Sequence, residues 1–137
     1  MDVIIYHNPD CGTSRNALAM VQAAGYAPTV IEYLKAGWNR QQLERLLAAT
    51  GLRPREVLRA KGTPAAELGL LDENVDDERI LTAMLQHPIL VNRPIVETPR
   101  GTKLCRPSEV VLSLLEHLPA SFTKEDGEVL TIGRSSP

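Results

Sequence analysis

The opening of the chain carries its strongest constraint. Residues 2–7, Asp2-Val3-Ile4-Ile5-Tyr6-His7, form an almost unbroken apolar and β-branched run, and they lead directly into a turn, Asn8-Pro9-Asp10-Cys11-Gly12. A run without alternation is the pattern of a strand buried on both faces. After the turn, Ala17, Leu18, Met20, Val21 and Ala24 recur at helical spacing and stop at Gly25, a good helix C-terminus. Residues 29–34, Thr-Val-Ile-Glu-Tyr-Leu, then read as a second strand. Strand, helix and strand at this spacing form a βαβ unit, whose strands are parallel and whose crossover is right-handed.

The middle of the chain, residues 39–88, reads as helical throughout. Asn39 suits an N-cap with Gln42 three residues on, and Leu43, Leu46 and Leu47 form the apolar stripe. Pro54 and Pro64 each suit the first turn of a short helix. Asp76 or Asp77 caps a further helix carrying Ile80, Leu81, Met84 and Leu85, which Pro88 stops. No linker composition flanks this block, so it reads as an insertion rather than a separate domain. A strand follows, interrupted at Asn92-Arg93-Pro94. A turn at residues 98–101 and a returning strand at residues 102–105 complete a hairpin. Pro107 opens a last helix with Val110, Val111, Leu114 and Leu115 inward. Beyond Pro119 the chain is polar. The order βαβ, helices, ββα is that of an α/β, thioredoxin-like fold: a single domain over residues 1–119 with an all-helical insertion at about 39–88 and a polar C-terminal tail, residues 120–137, that is expected to fray.

Composition narrows the function classes. With 15 Lys+Arg against 17 Asp+Glu the formal net charge is -2, which argues against bulk binding to nucleic acid or to an anionic membrane. No apolar run approaches the roughly 20 residues of a membrane span. The chain has 2 cysteines, too few for the disulfide framework of a small secreted domain, so a cytoplasmic location is expected and each thiol is a question of reactivity or packing. The 2 cysteines and 3 histidines show no metal-ligand spacing, and there is no glycine-rich phosphate loop, so neither a metal nor a bound cofactor is expected.

Cys11 sits where chemistry is easiest. It precedes the first helix, whose free N–H groups and dipole favour thiolate over thiol and also form a ready anion site. His7, at the end of the strand, adds to this if protonated, and Thr13, Ser14 and Asn16 offer short donors to sulfur or to a bound oxyanion. A free cysteine taken at random is more often a buried packing residue. Here the turn and the helix entry favour a nucleophile. Residues 11–14 spell C-x-x-S, a thioredoxin-like pattern without its second thiol, so no neighbouring cysteine resolves a bond made at Cys11. Cys105, in an apolar strand, reads as packing. His87 and His117 lie near helix ends and Trp38 at a helix start, and all three read as structural.

Three blocks carry a family resemblance: Tyr-His-Asn-Pro-Asp-Cys-Gly-Thr-Ser-Arg-Asn (6–16), Met-Leu-Gln-His-Pro-Ile-Leu-Val-Asn-Arg-Pro-Ile-Val (84–96) and Leu-Cys-Arg-Pro-Ser-Glu-Val-Val (104–111). Together they resemble the glutathione- and glutaredoxin-coupled arsenate reductases of the ArsC type, from the first strand to about Asp126. The resemblance implies that Cys11 is the nucleophile and that His7 helps depress its pKa, with Ser14 completing the catalytic set. It implies that Arg59, Arg93 and Arg106 bind the oxyanion, and that Pro94 is a cis-proline beside the active cysteine, with Gly12 and Thr13 as structural neighbours. The arginines suit this role on their own chemistry. Each is placed at the end of an element, and a guanidinium offers paired planar donors that stay charged at neutral pH. Arg15, Arg40, Arg45, Arg53, Arg55, Arg79 and Arg100 are read as surface residues. The implied reaction reduces arsenate to arsenite through a covalent Cys11–arsenic intermediate, with glutathione as co-substrate and glutaredoxin as partner. Two alternatives remain open. One is a redox-responsive transcription regulator of the same fold family, which the C-x-x-S pattern weakens because such regulators use a C-x-x-C pair. The other is a thiol-dependent reductase of another oxyanion or of a glutathione-linked substrate.

Overall fold

The apolar opening run condenses to a short strand, β1 (Ile4–Tyr6), joined to a helix, α1 (Gly12–Ala23), and a second strand, β2 (Thr29–Ile31). This is the expected βαβ unit in a computed structural model that describes residues 1–132. The hairpin is also present, as β3 (Ile95–Thr98) and β4 (Gly101–Leu104). The four strands form one sheet of order β2-β1-β3-β4, with β1 parallel to β2 and antiparallel to β3. The central place of β1 explains its composition: Ile5 and Tyr6 are buried on opposite faces.

The chain divides into two compact units, one built from Met1–Ile31 with the chain from Arg93 onward, the other from Glu32–Asn92. The core of the first gathers Val3 and Ile5 of the first-strand segment, Ala17, Met20 and Val21 of α1, Val96 of β3, and Cys105, Val111, Leu114 and Leu115. Ser14, Ala17, Met20 and Val21 make the buried stripe of α1, so one face of the helix that begins at Cys11 is anchored in this core.

In the second unit, α2 (Tyr33–Ala36) takes up residues expected to extend the second strand. The Tyr33 side chain makes this worthwhile: it is fully buried, donates its hydroxyl to the Val91 carbonyl at 2.7 Å, and stacks on Trp38 with ring centroids 5.1 Å apart. Next come α3 (Arg40–Thr50), capped by Asn39 Oδ1 accepting from the Gln42 N–H, then α4 (Pro54–Val57) and α5 (Asp77–Gln86), capped by Asp76. The expectation of helix throughout is corrected between α4 and α5. Residues 59–76 are turns, Pro64 opens no helix, and Gly62 and Gly69 adopt positive φ, which breaks helical continuation. Pro88–Leu90 is a 3-10 turn rather than strand.

Two corrections concern the C-terminal part. The last helix is a 3-10 helix, Ser108–Leu114, with Val111 and Leu114 inward and Val110 only partly buried. Residues 120–132 are not a frayed tail: β5 (Ser121–Thr123) and β6 (Val129–Thr131) form an antiparallel hairpin whose Phe122 and Leu130 pack on the first unit's core. The remainder of the expected tail, residues 133–137, lies outside the described residues. Among the described residues no helix is long and apolar enough to cross a membrane.

Met20 is fully buried under α1. Met20→Ala is expected to cost about 2–5 kcal/mol, the range for truncating a large side chain in a packed core. Urea denaturation measures it, and a loss well under that range would place Met20 outside the rigid core.

Candidate active site

The turn before α1 is built by its own polar groups. The Cys11 N–H donates to the Asn8 carbonyl at 3.1 Å, closing a four-residue turn with Pro9 second, and the Asp10 N–H donates to Asn8 Oδ1 at 2.9 Å. The Asn8 N–H in turn donates to Ser14 Oγ at 3.1 Å, so the turn is tied to the first turn of the helix. Asn8 is almost fully buried. Sequence reasoning passed over it as a site residue, although Asn-Pro-Asp is a known turn composition.

Cys11 therefore stands at the N-cap of α1, 7% exposed. Burial, the largest single influence, pushes its thiol pKa up, but the Ser14 backbone N–H and then the Arg93 and Arg106 guanidinium groups together outweigh it and bring the pKa down from 9.0 to about 7. The Ser14 amide acts without a formed capping hydrogen bond to the sulfur, as a donor turned toward developing negative charge. Arg106 Nη1 lies 3.8 Å from Cys11 Sγ and donates to the Arg93 carbonyl at 2.8 Å. The structure thus brings Cys11, Ser14, Arg93 and Arg106 together, and the Arg93–Pro94 bond is cis.

The hairpin explains why these two arginines meet. β3 and β4 pair Ile95 with Leu104. Beyond the strands, the Cys105 N–H donates to the Pro94 carbonyl at 2.8 Å. The same register, carried one residue further, sets Arg93 opposite Arg106.

His7 stands at the end of β1 beside the first turn of α1, where its Nδ1 shares a 2.6 Å hydrogen bond with Ser14 Oγ, while the influences that lower the sulfur's pKa include the Ser14 amide and the two arginines. The Asn16 Oδ1 accepts the Glu125 N–H at 3.0 Å. Thr13 is half-buried in the first turn of α1. Gly12 starts the helix, and a methyl group there would meet no protein atom closer than 3.7 Å, so protein packing does not demand the glycine. Arg59 belongs to the second unit, where its N–H donates to the Leu90 carbonyl and its Nε to the Lys61 carbonyl.

The second thiol has the opposite setting. Cys105 is fully buried, burial pushes its pKa up to about 12, and its Sγ lies 3.6 Å from the Lys103 carbonyl. His117 stacks on Tyr26, and Trp38 on Tyr33. Among the described residues no group of three His, Cys, Asp or Glu side chains is arranged to hold a metal ion.

Residues 6–114 match the ArsC family. The chain is 62% identical to the arsenate reductase ArsI2 of Synechocystis over 129 residues, covering 93% of this chain and 92% of that protein. It is 59% identical to an arsenate reductase of Rhizobium meliloti, covering 95% and 94% of the two chains. Among solved structures, an arsenate reductase from Vibrio cholerae superposes with a TM-score of 0.79 at 40% identity, covering 84% of this chain and 98% of that one. The fold is thioredoxin-like, as that match and the sheet order agree.

Because the thiolate is the reactive form, alkylation of Cys11 by iodoacetamide is expected to rise with pH to a midpoint near 7 and to fall about tenfold per pH unit below it. Cys105 is expected to stay unmodified at pH 8 in the folded protein. A Cys11 midpoint near 9 would remove the electrostatic account given above.

Proposed function

The chain belongs to the ArsC family, and on that footing we propose that it reduces arsenate to arsenite with Cys11 as the nucleophile. One observation carries the reading: a sulfur with a pKa near neutrality stands at a helix N-terminus with a guanidinium nitrogen 3.8 Å away. An oxyanion entering there meets the planar donors of Arg93 and Arg106 and free backbone N–H groups. These are the groups that stabilise charge as it develops on arsenate oxygen.

In the proposed sequence the Cys11 thiolate attacks arsenic(V), and one arsenate oxygen, protonated, leaves as water. A glutathione thiol displaces a second oxygen. A further thiol, from glutaredoxin, attacks the glutathione sulfur, and the electron pair of the broken sulfur–arsenic bond reduces arsenic to the trivalent state. The resulting mixed disulfide is resolved by a second glutathione. Water then cleaves the Cys11–arsenic(III) bond, releasing arsenite and the thiol. Phosphate occupies the same anion site and stops there, because thiols do not reduce phosphorus(V). Ser14, bonded to His7 and to the Asn8 N–H, keeps the first turn of α1 in register with the nucleophile. A supply of glutathione and glutaredoxin fits a cytoplasmic setting.

Arsenate-dependent NADPH oxidation coupled through glutathione, glutaredoxin and glutathione reductase tests the proposal. Wild-type protein is expected to be active, Cys11→Ser inactive, and Cys105→Ser close to wild type. Activity in Cys11→Ser, or none in the wild type, would overturn the reading. Arg93→Ala and Arg106→Ala are each expected to lower kcat/KM by about 2–4 kcal/mol, the cost of a lost buried charge-assisted contact, with lysine a poor substitute for the planar fork. The role of Arg59 rests on the family resemblance, and Arg59→Ala in the same assay tests it.

A further inference from the structure

Arg15 and Glu125 stand beside the nucleophile and have no part in the reaction above. Arg15 projects from the first turn of α1, and its guanidinium is engaged on three nitrogens. Nε and Nη2 donate to the two Glu125 oxygens at 2.8 and 2.9 Å, and Nη1 donates to the Pro9 carbonyl at 2.8 Å. Pro9 lies within the turn that Cys11 closes. Glu125 sits at the tip of the β5–β6 hairpin, where its N–H is held by Asn16 Oδ1. A methyl on Gly12 would lie 3.7 Å from both Arg15 Nη2 and Glu125 Oε1, so cation and carboxylate flank the residue next to Cys11. The hairpin tip is itself fixed, because Lys124 pairs with Glu109 at 2.8 Å and with Glu128 at 3.3 Å. With side chains 43% and 48% exposed, Arg15 and Glu125 gain little stability from their pairing. Stability alone is thus a weak reason for an ion pair that spans 110 residues and ends on the nucleophile's turn.

We infer that Arg15 and Glu125 are a charge-setting pair for Cys11: the Arg15 cation, held against the Pro9 carbonyl, favours the thiolate, and the Glu125 carboxylate offsets part of that charge. This rests on Cys11 being the nucleophile of the proposed reaction. Attraction between two groups acts on both, and Arg15 has its own pKa raised, chiefly by its hydrogen bonds to Glu125 but also by the charges of Cys11 and Asp10. The other charged groups facing the sulfur are Arg93 and Arg106, while the Asp10 carboxylate in the turn acts on Arg15. His7 is hydrogen-bonded to Ser14, and Lys124 is paired with Glu109 and Glu128.

The test is the pH profile of Cys11 alkylation in the full chain, followed on the Cys11 peptide by mass spectrometry. Arg15→Gln removes the cation and leaves the carboxylate, so its midpoint is expected to rise by about half a pH unit, the size of one charge interaction across a solvated gap. Glu125→Gln leaves the cation on the Pro9 carbonyl without its offset, so its midpoint is expected to fall by a few tenths of a pH unit on the same reasoning. The double variant falls between, and Arg15→Lys stays close to wild type. Opposite signs distinguish charge-setting from bracing: single variants that move the midpoint the same way, or leave it unmoved, overturn the inference. Thermal melts confirm that each variant is folded. Because the readout is alkylation rather than turnover, unmoved midpoints in a protein whose arsenate activity needs Cys11 overturn only the pair, whereas activity in Cys11→Ser overturns the reading on which it rests.

Discussion

Burial penalises an ionised sulfur, and the surroundings of Cys11 work against that penalty one by one. With 7% of the residue exposed, the thiol alone would titrate above its ordinary value. The helix N-terminus supplies the first opposing effect and two guanidinium groups the rest, and together they bring the sulfur to about 7. Each depends on a different part of the first unit. The amide contribution needs α1 to begin at Cys11, which the Asn8–Cys11 turn enforces. The guanidinium contribution needs two arginines to arrive from another part of the chain.

That second requirement is met by strand register. The cross-strand partner of Ile95 is Leu104 on one side and Tyr6 on the other. Carrying both ladders past the strand ends sets Arg93 opposite Arg106 and brings His7 and Asn8 beside Pro94 and Arg93. A one-residue slip in β3 would reverse every side chain on it and take Arg93 away from the sulfur. The packing of Val96 among the neighbouring core residues holds that register, because a slip would put Ile95 or Glu97 in its place. Core packing in the first unit therefore does electrostatic service at the active-site turn.

The parts of this arrangement that were legible in the sequence are those with strong local signals. β1, the turn, α1 and the β3–β4 hairpin each combine apolar periodicity with Pro, Asn or Gly at a boundary, and their placement puts Cys11 at a helix entry. The family resemblance supplied Arg93, Arg106 and the cis-Pro94, which no local pattern reveals because they depend on pairing distant in sequence. Residues 59–76 misled for a physical reason. Pro64 opens a turn as readily as a helix, and the Thr63 hydroxyl bonds the Arg59 and Ala60 carbonyls, offering the backbone an alternative to helix. The β5–β6 hairpin was missed although Asp126-Gly127 is a hairpin signal. Polar Ser121, Thr123 and Thr131 alternate with Phe122 and Leu130 there, and the polar face drew the reading toward a tail. Arg15 looked like one more surface arginine, because its partner lies on that unrecognised hairpin.

Two thiols of opposite character constrain where electrons enter. Reduction of arsenic(V) by thiols consumes a pair of electrons, and a protein with a resolving cysteine supplies them as an internal disulfide. Here the position three residues after Cys11 is Ser14, already committed to His7 and to the Asn8 N–H. The remaining thiol, Cys105, is fully buried with a pKa near 12, and its N–H is fixed in the hairpin ladder to Pro94. A thiol so far from ionisation at neutral pH is a poor nucleophile, and a residue anchored by its backbone has little freedom to approach another sulfur. In the proposed reaction Cys11 therefore acts as a single reactive thiol, suited to making a bond to an oxyanion centre and poorly provided for breaking it by internal exchange. An external small thiol and its dithiol partner meet that need by chemistry rather than by fold, which is why the proposed electron donors are soluble molecules and not a second cysteine of this chain.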